Sequence, residues 1–68
     1  MTSEKTKTAI NLVLTMAIED YAASKNISID ESRRIVLSSK AIDILVDPET
    51  GLWKEGPDAF IELMEDIQ

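Results

Sequence analysis

Carboxylates are the one reactive group this chain holds in quantity. Its 68 residues contain thirteen Asp and Glu against seven Lys and Arg, with no histidine and no cysteine. Without an imidazole or a thiol, nucleophilic catalysis of the Ser-His or Cys-His kind cannot be assembled. The same absence removes disulfides, thiolate zinc sites and the commonest metal ligand. Paired carboxylates could still move protons. None of the thirteen, however, is flanked by the apolar residues that would wall off a dry pocket, and so short a chain can hardly enclose a substrate. The reading is a non-enzyme with no cofactor and no catalytic residue.

Two spacings invite a more specific chemistry. Asp47, Glu49, Gly51, Trp53, Glu55 and Asp58 occupy the liganding positions of a twelve-residue calcium loop. Leu52 stands where that loop needs glycine, Asp58 replaces the closing glutamate, and Pro48 and Pro57 stiffen both ends. The stretch therefore reads as an acidic turn, and no metal site is expected. Arg33, Arg34 and Lys40 lie between Ile29 and Val46, as in a helix-turn-helix reader of DNA. The chain lacks a basic recognition helix. The arginines read instead as a solvated pair supporting Asp30 and Glu31 one turn earlier.

Charge is unevenly spread. Residues 1–40 carry six basic and five acidic side chains, whereas residues 41–68 carry eight acids against Lys54 alone. The net charge of −6 thus belongs to the C-terminal part. Such a surface repels nucleic-acid phosphates and anionic lipid, and it suits a basic protein partner or solubility alone. The opening TSEKTKT has no apolar core of the signal-peptide type, and no apolar run is long enough to cross a bilayer. A cytoplasmic protein without membrane contact is expected.

These side chains must be positioned by helices. Ile10, Val13, Leu14, Ala17, Ile18 and Tyr21 recur at offsets of three and four, which predicts a long first helix. It starts at Ser3 or Thr6 and stops near Lys25-Asn26. Ala9, Leu12, Met16 and Ala23 form a second apolar face, for which partial cover by the C-terminal segment plus a contact surface is expected. Ser28 to Glu31 has the form of a capping box opening a second helix with Ile29, Val36 and Leu37 inward. A short third helix over Lys40 to Val46, capped by Ser39, buries Ala41, Ile42 and Leu45; a strand is the alternative, because IDILV is rich in β-branched residues. Pro48 and Gly51 make a turn, and Leu52 to Glu55 a connector of extended character. Pro57 begins the last helix, whose stripe is Phe60, Leu63, Met64 and Ile67. The fold class is all-α, a small compact single-domain bundle of about four helices, one long N-terminal helix with shorter helices packed on it. Trp53 reads as a lid on the core whose N–H meets a carbonyl, with an exposed hot spot as the other option.

Tyr21-Ala22, Asn26-Ile27-Ser28, the apolar helix Ala41 to Leu45, Leu52-Trp53-Lys54-Glu55-Gly56 and the closing Asp66-Ile67 together span most of the chain. In this order of motifs it resembles a family of short uncharacterised bacterial proteins, some treated as antitoxins beside ADP-ribosyltransferase-like toxins. The resemblance implies an all-helical protein that binds another protein and has no enzyme activity; it carries over no functional residue. The leading reading is a protein-interaction module, antitoxin-like in role, that uses Leu12, Met16 and Trp53 with an acidic rim of Glu62, Glu65 and Asp66. A self-associating homodimer burying the same apolar face is the second reading. A DNA-binding regulator is the third.

Overall fold

The structure, a computed structural model, describes residues 3–67; Met1, Thr2 and Gln68 lie outside the described residues. It is all-α. Helix α1 (Glu4–Lys25) is followed by α2 (Ile29–Ser38), α3 (Ala41–Val46), a single 3-10 turn (Pro48–Thr50), α4 (Leu52–Glu55) and α5 (Pro57–Asp66). The described residues contain no β-strand. The IDILV segment is helical, as expected, because a strand there would have no neighbour to complete its hydrogen bonds.

Helix α1 starts where a side chain can satisfy its free N–H groups: the Ser3 hydroxyl accepts from the Thr6 amide at 3.1 Å. It stops at Asn26, which takes the left-handed conformation at φ 57°. The Asn26 and Ile27 amides then return to the carbonyls of Ala23 and Ala22 at 3.4 and 3.0 Å, closing the helix end. Glu4 in the first turn and Lys25 in the last complement the helix dipole. The predicted inward stripe is inward: Ile10, Val13, Ala17, Ile18 and Tyr21 are buried, and Leu14 packs half-buried against them.

Helix α2 corrects one expectation. The Ser28 hydroxyl accepts from the Glu31 amide at 3.1 Å, which is one half of the capping box. The Glu31 carboxylate, however, pairs with Arg34 on the helix surface. Of the three residues expected inward, only Val36 is buried; Ile29 and Leu37 are 43% and 49% exposed. The inward row is instead Ser32 and Val36, one turn apart, with Ile35 half-buried beside them. Leu37 is adjacent to Val36 in sequence and is therefore rotated about 100° away from it around the helix. Ser32 is fully buried and donates its hydroxyl proton to the Ile18 carbonyl at 2.6 Å, tying α2 to the middle of α1. A small side chain at this point lets the two helices approach closely.

The second half of the chain folds by short-range rules. The Ser39 hydroxyl accepts from the Ala41 amide at 3.1 Å; Ala41 and Leu45 are buried beneath α3 and Ile42 is partly so. The Asp47 carboxylate accepts from the Glu49 amide at 3.0 Å, opening the 3-10 turn, and Gly51 leaves it at φ 71°. The Thr50 hydroxyl lies within 2.7 and 2.9 Å of the Ile44 and Asp47 carbonyls and accepts from the Leu52 amide at 3.3 Å. One side chain thus ties α3, the turn and α4 together. The expected extended connector is in fact α4, a single helical turn that drives Leu52 into the core. Gly56 then turns at φ 92°, ψ 177°, a region open in practice only to glycine. Pro57 starts α5, in which Phe60 and Met64 are wholly buried, Leu63 is half-buried, and Ile67, expected in the stripe, is 41% exposed.

Helix α1 spans most of the molecule's 37 Å length, with α2 and α5 packed along it and α3 and α4 closing the core between them. Every buried side-chain nitrogen or oxygen among the described residues has a hydrogen-bond partner. None of the described helices is long and apolar enough to cross a membrane.

Candidate functional site

Leu12, Met16, Asp20 and Ser24 follow one another at intervals of four along α1, so they form one row on its surface. The upper half of the row is apolar and open: Leu12 is 59% exposed and Met16 41%. Ala23 is exposed and Ala9 half-buried beside them. The expected cover from the C-terminal segment is therefore missing. Helix α5 packs against the inward side of α1 through Phe60 and Met64 and leaves the outward face bare.

The lower half of the row becomes one wall of a groove. Asp20 and Ser24 of α1 face Asp58, Ile61, Glu62, Glu65 and Asp66 of α5 across a cavity of about 380 Å³. The acidic rim expected from sequence, Glu62, Glu65 and Asp66, is thus assembled in one place. Asp20 and Asp58 complete it. The sequence did not assign them to this rim, because their membership depends on α1 and α5 lying side by side.

Five carboxylates around a small groove make a negative field, focused by the low-dielectric walls behind it. One lysine answers it directly: the Lys25 ammonium lies 3.7 Å from the Glu65 carboxylate and 5.7 Å from the centre of the Tyr21 ring. Both members of that pair are nearly half exposed, so the pair adds little to stability. Among the described residues, Asp20, Asp58, Glu62 and Asp66 form no salt bridge.

Trp53 does not line this groove. It is half-buried at the edge of the core, its indole N–H donates to the Pro48 carbonyl at 3.3 Å, and the Lys54 ammonium sits 5.4 Å from its ring. That is the lid arrangement. Leu12, Met16 and the acids therefore share one side of the molecule, and Trp53 stands apart from them.

The remaining motifs are absorbed by local structure. In the calcium-like window the Asp47 carboxylate caps the 3-10 turn, and among the described residues no three acidic side chains converge as a metal ion would require. Arg33 pairs with Asp30 at 3.2 Å and Arg34 with Glu31, each one turn back on α2. A second cleft, of about 420 Å³, lies between Arg34, Ile35, Ser38, Ser39, Lys40 and Ile67. Its Ser39 hydroxyl is already engaged in holding the Ala41 amide.

No protein-family model matches the chain, and neither a curated protein nor a solved structure is significantly similar to it.

Proposed function

We propose that this protein is a protein-interaction module of the cytoplasm that receives a basic segment of another protein in the groove between α1 and α5. The observation that carries the reading is the convergence of Asp20, Asp58, Glu62, Glu65 and Asp66 on one cavity, answered by Lys25 alone through a salt bridge among the described residues. Folding gathers charges of one sign at a cost in mutual repulsion, and an incoming cation relieves that repulsion. Ile61 supplies an apolar floor against which the stem of a lysine or arginine can lie. An antitoxin-like role, in which the basic segment belongs to a toxin, follows from the resemblance in the order of motifs and fits the same groove. With no imidazole or thiol in the chain, an enzyme is not proposed.

The test is affinity capture of the tagged chain from its own cells at low and high salt, beside a Glu62→Lys, Asp66→Lys variant. A stoichiometric basic partner should come down with the wild type. High salt should release it, because screening weakens exposed charge pairs, and the charge-reversed variant should fail to hold it. A partner retained equally by both proteins would overturn the groove as the working surface.

A further inference from the structure

The outward face of α1 has its own logic, independent of the basic-partner reading. Lys5, Ala9, Leu12, Met16, Glu19 and Ala23 succeed one another at intervals of four, three, four, three and four, the seam spacing of a coiled coil. All six lie on the solvent side of the helix; Ala9 is half-buried and the other five are exposed. The seam is also self-complementary. Under a two-fold axis crossing α1 beside Leu14, Leu12 of one copy meets Met16 of the other. Ala9 then meets Glu19, and Lys5 meets Ala23. A surface that maps onto itself in this way is what a closed symmetric dimer requires.

Charge selects both the occupant and its direction. On the seam itself the exposed lysine Lys5 lies in the first turn and the exposed acid Glu19 near the other end, with Asp20 beside it; Glu4, Lys7 and Lys25, also exposed, fall away from the seam around the helix. Antiparallel packing sets Lys5 of each copy within one turn of Glu19 and Asp20 of the other. Parallel packing would set lysine against lysine and glutamate against glutamate. A uniformly basic partner would meet Lys5 with like charge. We infer that the outward face of α1 is covered by a second copy of this chain, packed antiparallel across the Leu12 and Met16 seam. The chain has no disulfide to stabilise so small a core, and self-association supplies the missing burial. The α5 wall of the acidic groove stays open in this arrangement.

Sedimentation equilibrium of the full chain across a wide concentration range tests this. The wild type should pass from the mass of one chain to that of two, and Leu12→Glu with Met16→Ser should stay at one with unchanged helical circular dichroism. Lys5→Glu alone and Glu19→Lys alone should each raise the dimer dissociation constant roughly threefold or more. The double exchange should recover the wild-type constant. A wild type that remains monomeric at millimolar concentration overturns the proposal, as does a dimer that survives the Leu12→Glu change. A double exchange weaker than either single one overturns the antiparallel direction. Glu62→Lys should leave the dimer intact while removing the basic partner, so the two surfaces fail separately.

Discussion

Helix α1 carries apolar side chains on two faces, and the two meet different fates. Ile10, Ala17, Ile18 and Tyr21 are 7% exposed or less, whereas Leu12 and Met16, interleaved among them in sequence, are 59% and 41% exposed. The difference is one of phase. Helices α2 and α5 approach α1 from one side, and residues nearly half a turn around from that side have nothing to pack against. Apolar character therefore reports burial only after the neighbours are placed. Where it fails to, it marks a face with room for another molecule.

Substitutions on the two faces should separate by several kcal/mol. The largest effect belongs to Phe60→Ala, which empties the centre of the contact between α5 and the inward face of α1; such truncations cost about 3–5 kcal/mol. A domain of this length holds only roughly 3–10 kcal/mol in all. The variant should accordingly show a steep fall in helical circular dichroism at ambient temperature. Ser32→Ala should cost about 1 kcal/mol, the net worth of the lost hydrogen bond to the Ile18 carbonyl, read as a lower denaturant midpoint at unchanged slope. Smallest of all, Leu12→Ser with Met16→Ser should change the stability of the dilute monomer by no more than about 0.5 kcal/mol. If that pair costs as much as Phe60→Ala, the outward face is core after all and the contrast collapses.

What could be read in advance was set by distance along the chain. Ser3, Asn26, Ser28, Asp47 and Pro57 act on backbone groups a few residues away, so their types and spacing reveal the helix ends directly. The inward stripe of α1 was legible because twenty-two residues give the periodicity room to repeat. Helix α2 is too short for that: with only ten residues, Ile29 and Leu37 looked as suitable for burial as Val36. Ser32 was not singled out, because hydropathy gives a hydroxyl no weight toward burial, and the hydrogen bond to the Ile18 carbonyl explains its place inside. The extended reading of Leu52 to Glu55 missed α4 because that turn is held by Gly51 and by the Thr50 hydroxyl rather than by its own sequence. At the groove, Glu62, Glu65 and Asp66 were legible from composition. Asp20 and Asp58 were not, since they belong to it through the pairing of two helices far apart in the chain.

The position of Trp53 gives the molecule two separate optical channels. Its indole is lodged where α3, the 3-10 turn and α4 meet, bonded to the Pro48 carbonyl, while the outward face of α1 and the acidic groove contain no aromatic side chain. Tryptophan emission will follow the melting of that corner and will be indifferent to what docks elsewhere. Tyr21 is buried in the core, with the Lys25 ammonium 5.7 Å from the centre of its ring and that lysine paired in turn with Glu65 of the groove. A ligand that draws Lys25 away should perturb the phenol's ultraviolet absorption while the indole stays constant, so occupancy and unfolding can be followed in one cuvette without a label.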